Sequence, residues 1–81
     1  MIKPNFRDTL IKDNTISIIG AGGWGTALST VLVNNGFNVK IWARENETVD
    51  DININHQNST FLHNVQLDEK ISASSNINDF R

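Results

Sequence analysis

Three glycines at fixed spacing, Gly20, Gly22 and Gly25, constrain this chain more than any other feature. They form the pattern Gly-x-Gly-x-x-Gly between a β-branched run, residues 15–19, and a run of small and apolar residues, 24–35. The first run is typical of a buried strand, and the second has its apolar residues at helical spacing. The pattern therefore predicts a strand, a turn with a bare backbone, and a helix.

Each glycine has a separate physical reason in a turn that binds a dinucleotide. Gly20 permits the tight turn out of the strand, Gly22 lets a pyrophosphate approach the backbone, and Gly25 lets the helix pack close to the strand. The free N–H groups of the first helical turn then hold the anion. A P-loop is excluded because Gly25 is followed by Thr26 rather than by Lys. The alternative interpretation is a structural glycine turn in another kind of α/β domain.

The rest of the chain continues the alternation of strands and helices. Residues 37–44 alternate apolar and polar side chains, which predicts a second strand, and Gly36 suits the left-handed position at the end of the preceding helix. Residues 45–57 predict a short helix, and 70–74 a third strand. The order β-α-β-α-β is typical of a parallel sheet with crossover helices. The predicted fold class is α/β, a partial Rossmann fold with parallel strands.

Composition limits the remaining possibilities. The chain has 81 residues, enough for one small domain, with a net charge of −2 and no cysteine. There is no basic cluster to attract nucleic acid, and the two histidines lack the neighbours of a metal site. No apolar run is long enough to span a membrane. Residues 1–14 are polar without a signal-peptide core, and we expect an N-terminal extension there, followed by a cofactor-binding segment over 15–81, in a cytoplasmic protein.

The end of the second predicted strand departs from the usual NAD-binding pattern. An acidic residue commonly binds the ribose 2′-hydroxyl there, whereas this chain has Arg44, with Glu45 one position later. An arginine can bind a 2′-phosphate or lie against the adenine. We therefore expect NADP, or NADP together with NAD, to be accepted. The alternative for Arg44 is a solvated charge at the end of the strand. Glu45 is expected to cap the next helix.

Two stretches together resemble a known family. "IGAGGWGTAL" followed by "VKIWAR" is similar to the start of bacterial NAD(P)-dependent glycerol-3-phosphate dehydrogenase, and residues 58–67 and 71–74 resemble the family's later Asn-x-x-Tyr-Leu-Pro-Gly and Ile-x-Ala-Thr segments. The resemblance covers about residues 15–80. Gly23 stands where Ser or Ala is commoner, and His63-Asn64 stands where the family has Pro-Gly.

The resemblance implies a role for each matched position. Gly23 and Trp24 match positions that contact the dinucleotide at the first turn, and Arg44 matches the position near the adenosine ribose. The family interconverts sn-glycerol 3-phosphate and dihydroxyacetone phosphate with NAD or NADP, and this reaction supplies glycerophospholipid synthesis. Its catalytic lysine and its substrate domain would follow Arg81, so we expect no catalytic residue in this chain and no activity from the chain alone.

Several alternatives remain open at this stage. Trp24 could wall the cofactor cleft or simply pack at the strand–helix corner. The chain could be a non-catalytic nucleotide-binding module, a truncated remnant, or part of another dehydrogenase. In the usual strand order the first strand lies between the second and the fourth. We therefore expect Ile16–Ile19 to present a bare apolar edge that favours self-association.

Overall fold

The computed structural model describes residues 14–80 of the chain. The predicted extension over residues 1–14 falls, apart from Asn14, outside the described residues. The elements follow one another as β1 (Thr15–Ile19), α1 (Gly23–Asn34), β2 (Asn38–Trp42), α2 (Asn46–Asp50), a π-helical turn (Asp51–Asn55), β3 (Ile71–Ser74) and a 3-10 turn (Ile77–Phe80). This order confirms the predicted alternation of strands and helices.

The three strands form one parallel sheet in the order β1-β2-β3. Ile18 of β1 pairs with Ile41 of β2, and Ile41 pairs in turn with Ala73 of β3. Parallel neighbours need a crossover connection, which α1 provides between β1 and β2. All three strands therefore end at the same edge of the sheet, where β1 leads into the glycine turn. The predicted α/β class with a parallel sheet is confirmed.

The core lies along β2 and β3 and beneath the two helices. β2 alternates as predicted, with Val39, Ile41 and Ala43 buried. The other buried apolar residues are Ala21, Val33, Ile52, Leu67, Ile71 and Ala73. β1 is less buried than its β-branched pattern predicts, with Ile19 61% exposed, and it is the edge strand that the usual strand order led us to expect. The reason is its position, because among residues 14–80 β1 pairs only with β2.

Small polar residues form most of the buried stripe of α1. Thr26 and Ser29 are fully buried, and Val33 is 8% exposed. Leu28 and Val31, two of the apolar residues that predicted the helix, are about half exposed. The hydroxyl of Ser29 donates to the carbonyl of Gly25 at 2.9 Å. This bond satisfies the buried hydroxyl within its own helix, and the small side chains allow α1 to approach the sheet closely.

The end of α1 follows the prediction. Gly36 has a φ of +94°, in the region that glycine adopts without strain. Within the part of the chain that is described, no helix has both the length and the apolar character needed to cross a bilayer.

Candidate functional site

The glycine turn begins against the end of β2. Gly20 has a φ of +114°, which explains the need for glycine at this position. Its N–H donates to the carbonyl of Trp42 at 2.8 Å, one step beyond the last paired residues of β1 and β2. The turn is thereby fixed at the carboxyl edge of the sheet, where ligands of open α/β sheets bind.

The other two glycines of the motif have opposite surroundings. A Cβ on Gly25 would lie 2.5 Å from the carbonyl oxygen of Gly20 and 3.3 Å from Cγ2 of Ile18, so only glycine allows α1 to pack here. A Cβ on Gly22 would have nothing within 4 Å. Protein packing therefore explains Gly25 but not Gly22. The open space beside Gly22 is what the approach of a ligand to the backbone requires.

The N-terminus of α1 is free to receive an anion. Gly22 is its N-cap residue, no side chain caps it, and its first turn contains no acidic residue. The first helical bond runs from the N–H of Thr26 to the carbonyl of Gly22, at 3.0 Å. The preceding N–H groups, those of Gly23, Trp24 and Gly25, have no intrahelical acceptor. They point out of the helix start with the positive end of its dipole.

Trp24 projects from this helix start into solvent. Trp24 is 90% exposed. Together with Gly23 and Ala27 it lines an open apolar cleft of about 400 Å³. The alternative that Trp24 packs at the strand–helix corner is wrong for this structure, because so exposed a ring stabilises little of the core. An exposed aromatic face beside free N–H groups is available to stack on or cover a bound cofactor.

Arg44 lies at the same edge of the sheet as the glycine turn. Ile19 pairs with Trp42, so the ends of β1 and β2 lie side by side, about 4.8 Å apart, and Arg44 follows two residues later. Its side chain is 84% exposed, and its Nε lies 3.4 Å from Oε2 of Glu45. An exposed pair of this kind contributes little to stability, so the guanidinium is free to bind a ligand phosphate.

Glu45 occupies the predicted position but does not act as predicted. It is the N-cap residue of α2, yet its side chain makes no cap hydrogen bond. The expectation that Glu45 caps the helix is therefore wrong in detail. Its carboxylate lies beside Arg44 instead, because the two side chains are adjacent and oppositely charged.

A tight turn at Asn58–Leu62 docks against the glycine turn and was not singled out as part of the site by sequence. Asn58 is only 1% exposed. Its Nδ2 donates to the carbonyl of Ala21 and to Oγ1 of Thr26, both at 2.8 Å. A Cβ on Gly23 would lie 2.9 Å from the carbonyl oxygen of Phe61. The 58–62 turn and the glycine turn are therefore in direct contact.

The sequence does not single out Asn58, because several other asparagines lie near it and the residue type alone does not show which of them is buried. The following loop does show one recognisable signal. Asn64 has a φ of +62°, and asparagine tolerates this region better than most residues. The left-handed backbone explains why the family pattern has glycine at that position.

The other cavities and titratable groups do not belong to this site. A cavity of about 450 Å³ lies at the far end of α1, lined in part by Val33, Asn34 and Leu67. Hydrogen bonds from the backbone N–H of Ser59 and the side chain of Asn55 hold the pKa of the Asp51 carboxyl below its usual range. Across residues 14–80, no three potential metal ligands come together.

The comparisons with known proteins agree with this geometry. Residues 15–80 match the family model described as the N-terminus of NAD-dependent glycerol-3-phosphate dehydrogenase. A glycerol-3-phosphate dehydrogenase [NAD(P)+] of Exiguobacterium sp. is 47% identical over 64 residues, which cover 79% of this chain and 19% of the relative. The Staphylococcus carnosus enzyme of the same name is 41% identical over the same shares of the two chains.

Solved structures give the same result. The glycerol-3-phosphate dehydrogenase of Coxiella burnetii superposes with a TM-score of 0.74 at 35% identity, over 82% of this chain and 20% of that one. The Plasmodium falciparum enzyme superposes with a TM-score of 0.71 at 36% identity, over 80% and 21%. The chain thus spans about a fifth of the length of these relatives.

Proposed function

The chain belongs to the family defined by the N-terminus of NAD-dependent glycerol-3-phosphate dehydrogenase. We propose that its glycine turn binds the pyrophosphate of NAD or NADP. In this proposal the first turn of α1 receives the anion, Trp24 covers one side of it, and Arg44 meets the adenosine ribose. The assigned cofactor-binding residues are Gly20, Gly22, Gly23, Trp24, Gly25 and Arg44. The segment over 15–81 is the cofactor-binding unit, and residues 1–14 are an extension to it.

The observation that carries the proposal is the contrast between Gly22 and Gly25. Open space at Gly22 fits a pyrophosphate beside the backbone, and the close contact at Gly25 keeps the helix start in position for it. The free N–H groups provide donors, and no acidic side chain of the first turn opposes the anion.

The exposed guanidinium of Arg44 favours NADP without excluding NAD. A 2′-phosphate beside Arg44 would gain a charge-assisted interaction that a 2′-hydroxyl lacks. Glu45 lies within reach of the same guanidinium and can accept a hydrogen bond from a ribose hydroxyl. The proposal is that both cofactors bind and that the phosphorylated one binds more tightly.

The activity proposed for the whole protein follows from the family. It is the reversible oxidation of sn-glycerol 3-phosphate to dihydroxyacetone phosphate, in which the nicotinamide ring accepts or returns a hydride. This chain's residues bind and orient the dinucleotide, and we assign no catalytic residue among them. The reaction would supply glycerophospholipid precursors in the cytoplasm.

The edge of β1 supports a separate proposal, which concerns self-association rather than catalysis. That strand has a single partner among the described residues and leaves Ile19 exposed. We propose that this edge pairs with further protein, including a second copy of the chain. Analytical ultracentrifugation tests self-association, and a monomer at high concentration would contradict it.

Titration of NADPH and NADH into the chain, followed by tryptophan fluorescence, tests the proposed function. The expected result is saturable quenching by both cofactors, tighter for NADPH, with a smaller signal in Trp24→Phe. Trp42, whose Nε1 donates to the carbonyl of Ser75, remains in that variant and accounts for the residual signal. A folded chain without saturable quenching would contradict the proposal.

A further inference from the structure

We propose that Asn58 is a positioning residue that holds the glycine turn in the shape that binds the dinucleotide. The inference rests on the proposed function, and it assigns to the 58–62 turn a part in cofactor affinity. Asn58 would not contact the cofactor itself, because it is buried behind the turn. It would act through Ala21 and Thr26.

The hydrogen bonds of Asn58 are complete and leave its amide a single orientation. Both hydrogens of Nδ2 are used, one for the carbonyl of Ala21 and one for Oγ1 of Thr26. A carbonyl oxygen can only accept, so a flipped amide would set two oxygens against each other at Ala21. Oδ1 of Asn58 accepts from the N–H of Phe61 at 3.3 Å.

The hydroxyl of Thr26 extends this network to the helix start. Oγ1 of Thr26 accepts from Asn58 and donates to the carbonyl of Gly22 at 2.9 Å. Thr26 is fully buried. Hydrogen bonds in such a chain strengthen one another, and a buried group left without its partner is costly. Asn58 therefore holds Ala21 directly and Gly22 through one intermediate.

The consequence for the site comes from the planarity of the peptide bond. The carbonyls of Ala21 and Gly22 belong to the same peptide planes as the N–H groups of Gly22 and Gly23. Holding these two carbonyls inside the protein therefore fixes the direction of the two N–H groups. Without Asn58, the carbonyl of Ala21 would keep only a long contact from Oγ1 of Thr26, at 3.4 Å. The two N–H groups would then be held less firmly in a common direction.

The contact at Gly23 supports the same assignment. The carbonyl oxygen of Phe61 lies 2.9 Å from the position that a Cβ on Gly23 would take. The N–H of Leu62 donates to the carbonyl of Asn58 at 2.8 Å, which closes the 58–62 turn over that position. The 58–62 turn therefore packs directly against the residue that follows Gly22, close to the carbonyl that Asn58 binds.

The first test compares Asn58→Leu with Asn53→Leu, a control with similar backbone bonding at a more exposed position. The side chain of Asn53 also both donates to and accepts from the backbone. Its Nδ2 donates to the carbonyl of Ala73 at 2.9 Å, and its Oδ1 accepts from the N–H of Ala73 at 2.8 Å. It does so at β3, away from the glycine turn. We expect the Kd for NADH to rise at least tenfold in Asn58→Leu and less than twofold in Asn53→Leu. Equal effects in the two variants would overturn the inference.

The second test uses Asn58→Asp, which keeps the shape but loses donors when ionised. We expect NAD+ to bind this variant poorly at pH 8 and to recover toward wild-type affinity at pH 5, as the new buried carboxyl gains a proton to donate to Ala21. The ratio of variant to wild-type Kd is the readout, so general acid effects cancel. A ratio that does not change with pH would contradict the assignment, since a purely steric role predicts none.

Backbone amide NMR spectra without cofactor separate this inference from the proposed function. Asn58→Leu should shift the signals of Gly22 and Gly23, whereas Asn53→Leu should leave them in place. If wild type binds no cofactor, the proposed function fails and these spectra still decide whether Asn58 holds the turn. Unchanged Gly22 and Gly23 signals in Asn58→Leu would overturn the inference even if cofactor binds.

Discussion

Gly25 and Gly20 are in such close contact that a Cβ on Gly25 would lie 2.5 Å from the carbonyl oxygen of Gly20. The two residues belong to the start of α1 and the end of β1. Their contact sets how far the helix start stands from the sheet. Because the N–H groups that receive the anion are part of the same turn, this one distance controls both packing and the position of the donors.

Replacing Gly25 with alanine should destabilise the fold. The obstructing atoms are backbone, so the helix start must move, and overpacking of this kind costs about 1–3 kcal/mol. The free energy of unfolding from urea titration measures the effect. A Gly25→Ala chain as stable as wild type would show that the contact is looser than the structure has it.

Replacing Gly22 with alanine should affect cofactor binding rather than the stability of the fold. Its backbone, at φ −67° and ψ 175°, suits any residue, and its surroundings are open. The gain of about 0.4–1 kcal/mol from a less flexible unfolded chain is offset by the poor preference for alanine at an N-cap, so the free energy of unfolding should change little. The new methyl group should nonetheless hold the pyrophosphate away and weaken NADH binding about tenfold, ~1.4 kcal/mol. Undiminished affinity in Gly22→Ala would contradict the assigned role.

Replacing Arg44 should change the preference between cofactors. Arg44→Gln removes the charge beside the ribose, and we expect NADPH to bind about tenfold more weakly, ~1.4 kcal/mol, with little change for NADH. Arg44→Lys keeps the charge and serves as the control. Calorimetric titrations of both cofactors measure the ratio. Equal losses of affinity for NADPH and NADH would contradict this prediction, because Arg44 would then contact a chemical group that both cofactors have.

Acid should weaken the anchoring of the 58–62 turn through Asp51. Its Oδ2 accepts from the N–H of Ser59 at 2.8 Å, and this bond lowers the pKa of the carboxyl below 3.8. The stabilisation is therefore complete above the ordinary pKa and is lost as pH falls through the lowered one. Asp51→Asn should be less stable than wild type at pH 7, with a difference that shrinks in strong acid. A constant difference across pH would contradict this account.

The sequence predicted the parts of the fold that depend on local pattern. The period-two alternation around Ile41 placed β2, and the glycine spacing placed the turn. The burial of Thr26 and Ser29 could not be predicted in this way, because it depends on how closely α1 approaches the sheet. Local pattern also favoured a buried β1, whereas its burial depends on a neighbouring strand.

The same distinction between local pattern and long-range contact applies to the residues of the candidate site. Gly22 and Gly25 could be found because their spacing belongs to the recognisable Gly-x-Gly-x-x-Gly pattern between a strand and a helix. Asn58 could not, since its partners Ala21 and Thr26 are 37 and 32 residues away in the chain. Contacts at that separation leave no periodic signal. The exposure of Trp24 likewise required the structure, because an aromatic residue at a helix start is compatible with packing or with a ligand.

The central claim is that the N–H groups at the start of α1 hold the pyrophosphate of the cofactor. Titrating NADH into the isotope-labelled chain and following the backbone amide signals by NMR tests it most directly. The account predicts saturable shifts at Gly22, Gly23, Trp24 and Gly25, with smaller ones at Arg44. Saturable shifts confined to the cavity beside Val33 and Leu67, or no saturable shift in a folded chain, would contradict it.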